Sequence, residues 1–316
     1  MTDDLSLALS YCETISAPDD RISCFDVEAD RRDGDVRLSG TVSSHALRRR
    51  AVEVLGQVSA EPIDASEVSV LSRGEERTLA VPCAPVRAEP DAERVTTALY
   101  GATLGAYDHE GGWRRVRTPC GYLGWIGREA LSVSAPVDPD ATLSTPVTVE
   151  PSTTLPAGAD CAVLDREDEE ATVAFRTGLE VAVPTDSVTV PRSDATGADA
   201  LAAAESFLGT EYRWGGMSHD GIDCSGLVWI AYRRIGITMP RDADQQRAMG
   251  RAVGREALRP CDLLFFPGHV AISRGGSSFV HAYGAADAVV VNDLDPDEEG
   301  YVADLDDRLE LTTRLL

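Results

Sequence analysis

Trp214-Gly-Gly-Met-Ser-His-Asp-Gly-Ile-Asp-Cys-Ser-Gly-Leu-Val228 is the stretch on which the reading of the chain turns. Gly215, Gly216 and Gly221 loosen the backbone, Asp223 is a good helix N-cap, and Cys224 follows it directly. Beyond the cysteine, Leu227, Val228, Ile230, Ala231 and Ile235 recur at helical spacing. The pattern predicts a buried helix whose first turn carries Cys224. There the helix dipole favours thiolate over thiol, and a thiolate is the stronger nucleophile. A cysteine kept in a core for packing alone fits the same pattern, so the catalytic reading needs a base.

Candidate bases lie downstream. Residues 262–266, 269–273, 278–282 and 288–292 read as short strands parted by Pro and Gly breaks. Arg274-Gly275-Gly276 reads as a tight turn between the second and third. A hairpin folded about Gly275 sets His269 opposite His281 on one face, with Cβ atoms roughly 5 Å apart. Val270, Ile272 and Val280 then point to the other face and build core. A thiol and two imidazoles make up a nucleophile, a base and an orienting group. Two other arrangements fit the same residues: solvated surface histidines, or a zinc site shared with Cys224. Zinc usually recruits short-spaced pairs such as Cys-x-x-Cys, which this chain lacks, so neither metal nor cofactor is expected.

Together these residues resemble the NlpC-type cell-wall peptidases, which are papain-like cysteine enzymes. The likeness spans about residues 198–293. It rests on Tyr212-Arg-Trp-Gly-Gly, Asp223-Cys-Ser-Gly-Leu, Met239-Pro-Arg-Asp, Gln245, Pro260-Cys-Asp-Leu, Gly268-His-Val-Ala-Ile and His281-Ala. The resemblance implies Cys224 as nucleophile, His269 as general base and His281 as the group that orients it. It also implies Tyr212 near the oxyanion, beside the backbone N–H of Cys224, with Asp223 and Ser225 touching substrate. Gln245 is expected to be available to substrate as well. Two departures stand out: Cys261 where the family usually has Gly, and Ala243 where a hydroxyl residue is common.

The 316 residues carry 29 basic and 53 acidic side chains, a formal net charge of −24, and every basic one is arginine. Such an acidic, lysine-free surface suits very high salt, where carboxylates hold water and are screened from one another. A halophilic source is the expectation. The charge also argues against nucleic acid as a partner, because phosphate backbones need a basic surface. The first ten residues show neither the basic n-region nor the apolar run of a signal peptide, and no window approaches the ~20 apolar residues of a membrane span. Seven cysteines at irregular spacing suit reduced thiols, so a cytoplasmic protein acting on small peptides is expected.

Read in order, residues 1–76 form a small α+β segment. Residues 5–11 fit a helix or a strand, and Ser44 caps a helix through Gln57. Residues 77–135 and 140–192 read as two small all-β barrels, separated by the Pro- and Asp-rich stretch 134–140. Gly111-Gly-Trp-Arg-Arg-Val and Gly121-Tyr-Leu-Gly-Trp-Ile in the first resemble a bacterial SH3-like domain. The family resemblance makes that barrel a wall of the cleft that recognises a peptide's free amino end, with Glu89 and Tyr122 as candidates for the contact. Residues 196–316 form the papain-like domain: an Ala-rich helix, the Cys224 helix, a helical turn over 242–249, the histidine strands, an acidic loop over 293–307 and a closing strand. The fold class is α+β.

The predicted function is hydrolysis of a γ-D-glutamyl to diamino acid bond, or a related amide, in short murein-type peptides. An amidase or acyltransferase on another substrate is the alternative among enzymes. A wall-fragment sensor that no longer turns over is the alternative among binding proteins. The oligomeric state is open.

Overall fold

The computed structural model describes residues 3–71, 74–149 and 152–316, and within them the chain is mixed α+β, mostly strand. At the amino end, α1 (Asp4–Ser16) buries Leu5, Ala8, Leu9 and Cys12, one helical stripe. Strands β1 (Phe25–Arg32) and β2 (Asp35–Val42) form a hairpin about Asp33-Gly34. Helix α2 (His45–Val58) starts where the Ser44 hydroxyl accepts the Leu47 N–H at 3.2 Å, and it crosses over to β3 (Ile63–Val70), which runs parallel to β2. The two helices cover one face of this three-stranded sheet, and Val36, Leu38, Val42, Ala51 and Leu55 fill the space between.

Two antiparallel β units follow. Seven strands over 75–133 enclose Leu79, Val86, Leu104, Val116 and Ile126, and residues 134–140 have no regular structure. A five-stranded sheet and a separate two-stranded hairpin then enclose Leu143, Leu155, Val173 and Phe175. Both units touch what comes next. From the first, Thr97 donates to the Gly215 carbonyl at 2.7 Å and Arg94 to the Trp214 carbonyl at 2.6 Å. From the second, Asp160 pairs with Arg233 at the far end of the Cys224 helix.

The remaining chain builds a six-stranded antiparallel sheet. Helices α3 (Gly197–Glu205), α4 (Cys224–Arg233) and the short α5 (Ala243–Gln246) come first. Strands β4 (Arg251–Ala252), β5 (Pro260–Phe266), β6 (His269–Gly275), β7 (Ser278–Tyr283) and β8 (Ala288–Asp293) follow. Helix α6 (Ala303–Asp307) and β9 (Leu311–Arg314) close the chain, giving the order β4-β9-β5-β6-β7-β8. Leu263, Phe265, Val270, Ile272, Val280 and Ala282 share a core with α3 and α4, whose alanine face and apolar stripe need cover. Leu264, Phe266, Ala271 and Phe279 fill the other side with Leu258, Leu294 and Leu305. Leu305 sits on α6, so the expected acidic loop ends in a short helix. One buried leucine among aspartates is too sparse a pattern to announce it.

The hairpin between β6 and β7 corrects the expected register. Ile272 pairs with Val280 and Ser273 with Phe279, with a bulge before Gly275, so the turn centres on Gly276 rather than Gly275. Both glycines have positive φ, 98° and 65°, which lets the turn close one residue later. Continued to the strand ends, this register sets His269 beside Tyr283 and His281 beside Ala271. The slip is two residues. Because side chains alternate with period two, an even slip keeps both histidines on one face.

Cys261, where the resemblance leads one to expect glycine, has φ 74° and is 3% exposed. It begins a bulge in β5, and its carbonyl accepts the Tyr232 hydroxyl at 2.6 Å. A left-handed conformation costs an L-residue roughly 1–2 kcal/mol, so glycine belongs here on backbone grounds. Cys261→Gly and Cys261→Ala lose the same sulfur, but only glycine relieves the strain. The glycine variant should therefore be the more stable by about 1 kcal/mol in urea unfolding, reversing the usual Ala-over-Gly order.

Candidate active site

Asp223 starts α4 with extended backbone, and its Oδ1 accepts the Gly226 N–H at 2.7 Å. A side chain at Gly226 would bring Cβ within 2.5 Å of the Gly216 carbonyl, so the loop and the helix can meet only at a glycine. Cys224 is thereby held in the first turn, 6% exposed, in the core between helix and sheet. The Asp223 carboxylate also accepts from Gly215 N–H at 2.8 Å and from both terminal nitrogens of Arg241, at 3.0 and 2.7 Å. Arg241 is 1% exposed and adds bonds to Ser225 Oγ at 2.9 Å and, across to the first β unit, to Thr96 Oγ1 at 2.7 Å. Asp223 and Ser225, expected at the substrate, are thus committed to a buried network that fixes the nucleophile's helix.

Pro267-Gly268 connects β5 to β6 with φ +69° at the glycine, a two-residue link that puts His269 first on its strand. The next residue, Val270, turns its backbone N–H toward the Cys224 sulfur. His269 Nε2 lies 2.7 Å from His281 Nδ1, and His281 Nε2 lies 2.9 Å from Asn292 Oδ1. Asn292 Nδ2 in turn donates to the Gly300 carbonyl at 2.8 Å.

That last bond determines every proton in the row. A carbonyl can only accept, so the Asn292 amide presents nitrogen to Gly300 and oxygen to His281. His281 must then carry its proton on Nε2 and accept at Nδ1. His269 must donate from Nε2, which leaves the lone pair of its Nδ1 bare. The sequence reading placed Asn292 only at the end of a strand and gave it no role. Its signal was present, since in β8 it lies on the same face as His281, whose directly opposed residue is Val290. Arg241 was visible only as part of a Pro-Arg-Asp motif.

Burial sets the charge states. His281 is fully buried and its pKa falls to about 4, while that of His269 falls to about 3, from desolvation first and then the neighbouring His281. Both rings are neutral at physiological pH. Burial, followed by the Asp223 charge, pushes the Cys224 thiol up to about 12, while the N–H groups of Val270 and Ser225 and the Arg241 charge pull the other way. Against the expected thiolate, desolvation outweighs the helix end and favours the thiol, with both imidazoles neutral. Tyr212 packs against Gly284, and its phenol is raised to about 12 by burial and by the nearby Cys224 and Asp223 charges.

The other expected contacts divide. Glu89 and Tyr122 line one cavity of about 190 Å³ beside Arg21, Glu89 exposed and Tyr122 buried. The Gln245 side chain is turned away to Asp19, at 2.7 Å. Among the described residues no group of three or more His, Cys, Asp or Glu is placed to hold a metal ion.

Two regions of the chain match families of known proteins. Residues 209–302 match the model of the NlpC/P60 family, and residues 86–131 match that of the bacterial dipeptidyl-peptidase Sh3 domain. A dipeptidyl-peptidase 6 of Lysinibacillus sphaericus is 43% identical over 103 residues, 32% of this chain and 38% of its own length. A gamma-D-glutamyl-L-lysine dipeptidyl-peptidase of Bacillus subtilis is 27% identical over 211 residues, 59% of this chain and 71% of its own. The chain therefore spans under two fifths of the first relative's length and about seven tenths of the second's. In fold it is similar to the crystal structure of an NlpC/P60 family protein from Bacillus cereus, with TM-score 0.66 at 22% identity over 76% of this chain and 99% of that one. The carboxyl-terminal unit of this chain is an NlpC/P60 domain, and a bacterial SH3 domain precedes it.

Proposed function

We propose that the chain is a cysteine peptidase that hydrolyses a γ-D-glutamyl to diamino acid bond in short murein-type peptides. The observation that carries this reading is the row Gly300–Asn292–His281–His269, which leaves a bare imidazole nitrogen on the strand whose next amide faces the Cys224 sulfur. The substrate class is supported by relatives from Bacillus subtilis and Bacillus cereus named gamma-D-glutamyl-L-lysine dipeptidyl-peptidase.

Each residue then has a task. The Cys224 sulfur attacks the amide carbon while its proton passes to His269 Nδ1, so no free thiolate has to persist in the buried site. The carbonyl oxygen gains charge next to the Cys224 N–H and the Tyr212 phenol, which stays protonated. Collapse breaks the C–N bond, and His269 returns the proton to the leaving amine. Water activated by the same nitrogen then hydrolyses the thioester. His281 holds the His269 ring and its tautomer throughout. The seven cysteines are all free, which supports action in a reducing compartment such as the cytoplasm, and the −24 charge supports a high-salt setting. Among the described residues no helix is long and apolar enough to cross a membrane.

Mass spectrometry of a γ-glutamyl tripeptide after incubation tests the assignment. The protein should release the diamino acid and Cys224→Ala should not; an intact peptide, or cleavage by the variant, would exclude the mechanism.

Because His269 must be neutral to accept a proton, activity is present above its pKa and lost as pH falls through it. With that pKa near 3, the acid limb of kcat/KM should lie well below the ordinary histidine value of about 6.5. A limb at 6.5 would mean a solvated ring.

Asn292→Leu removes the acceptor for His281 and should lower kcat about tenfold or more with little change in KM. Asn292→Asp keeps an acceptor, so it should retain most of kcat while moving the acid limb upward, because a carboxylate favours protonated His281. Equal loss in both variants with an unmoved limb would reduce Asn292 to a packing residue.

A further inference from the structure

One strand of the first β unit, Arg94–Leu99, lies against the loop that leads into the nucleophile's helix. Thr97 Oγ1 donates to the Gly215 carbonyl at 2.7 Å, and Arg94 reaches the Trp214 carbonyl through Nε at 2.9 Å and Nη2 at 2.6 Å. A side chain at Gly215, where φ is +70°, would bring Cβ within 3.2 Å of the Val95 carbonyl carbon, so strand and loop meet main chain on main chain. Thr96 stands in the middle of this contact. It is 2% exposed, and its Oγ1 accepts from Arg241 Nε at 2.7 Å.

The donors of Arg241 show what that one bond does. A guanidinium carries five N–H groups. Nη1 gives to Asp223 Oδ1 at 3.0 Å and Ser225 Oγ at 2.9 Å, and Nη2 gives to Asp223 Oδ2 at 2.7 Å and the Gly216 carbonyl at 3.4 Å. Four donors thus stay within residues 216–225 of the catalytic unit. The fifth, on Nε, points away from Asp223 and goes to Thr96, in a different unit. Arg241 is 1% exposed, and a buried charged group left with an unfilled donor is expensive. Thr96 therefore holds the side of the guanidinium that the carboxylate leaves free.

We propose that Thr96 is a positioning residue for the reaction at Cys224, supplied by a unit that carries neither the nucleophile nor its base: its hydroxyl fixes Arg241, Arg241 fixes the Asp223 carboxylate, and that carboxylate caps the turn that holds the sulfur. The proposal rests on the peptidase reading given above. Without the hydroxyl, Nε–H loses its acceptor and the guanidinium turns toward another, so the fork on Asp223 loosens and with it the cap on the Gly226 amide. The sulfur then strays from its line with His269, and small misplacements of reacting groups cost rate. Asp223 is the anion beside Cys224 and Arg241 the cation, while His269, His281 and Tyr212 are neutral. A withdrawn guanidinium therefore also makes the thiolate harder to form. The first β unit thereby acts on the rate of the chemistry.

Two variants of the full chain test this, Thr96→Val, which removes the hydroxyl and keeps the shape, and Thr96→Ser, which keeps the hydroxyl. The readouts are kcat and KM on the γ-glutamyl tripeptide and the rate of iodoacetamide alkylation of Cys224 at fixed alkaline pH, followed by mass spectrometry of the peptide that contains it. Thr96→Val should lower kcat about tenfold with KM within about twofold, and slow the alkylation about threefold. Thr96→Ser should restore both. Unchanged kcat or unchanged alkylation in a folded Thr96→Val protein, a loss confined to KM, or an equal loss in Thr96→Ser would overturn the proposal. Should Thr96→Val fail to fold, Thr96→Ala, which removes the hydroxyl without adding a methyl in its place, carries the same expectations. An error in the peptidase reading appears separately, as a wild-type protein that leaves the tripeptide uncut, and the alkylation comparison then decides the role of Thr96 by itself.

Discussion

Asp223 and Arg241 face each other out of water at the foot of α4, and the site depends on that pair. A buried carboxylate is tolerable only when its lone pairs are filled. Here two backbone amides, a hydroxyl and two guanidinium nitrogens fill them. Removing one member of such a pair costs about 3–5 kcal/mol, because the other is left as an uncompensated charge. The same bonds join the glycine loop, the nucleophile's helix and, through Thr96, the first β unit. The pair also acts on the chemistry. Asp223 raises the Cys224 pKa and Arg241 lowers it, so the cap that starts the helix opposes the thiolate and its partner offsets the effect.

Burial is the other shaping force. It makes thiol and imidazoles neutral together, and it makes each unfilled hydrogen bond expensive, so the tautomers are dictated rather than averaged. A row ending on a backbone carbonyl has only one consistent arrangement of protons. That arrangement leaves a basic nitrogen on His269 without any charge being stored in the empty site. Proton transfer then belongs to the attack itself, when substrate supplies the carbon that makes it worthwhile.

Much of this was legible before any coordinates. Asp223, Cys224 and the apolar stripe after them sufficed for α4, and Pro and Gly breaks sufficed for the strands of the sheet. The face shared by His269 and His281 survived a register error of two residues, because parity, not exact pairing, decides the face. What escaped was non-local. Gln245 is drawn away by Asp19, 226 residues earlier in the chain, and no pattern around Gln245 could show it. The charge state of Cys224 depends on how deeply the core closes over it. The choice of helix for residues 5–11 turned on Ala8 and Cys12, which complete a helical stripe that alternating leucines obscure.

Nitrogen-15 chemical shifts of the imidazoles at neutral pH, with His269 and His281 assigned by substitution, test the central claim most directly. Both rings should be neutral, each with its proton on Nε2. A proton on His269 Nδ1, or an imidazolium at either position, would contradict the account.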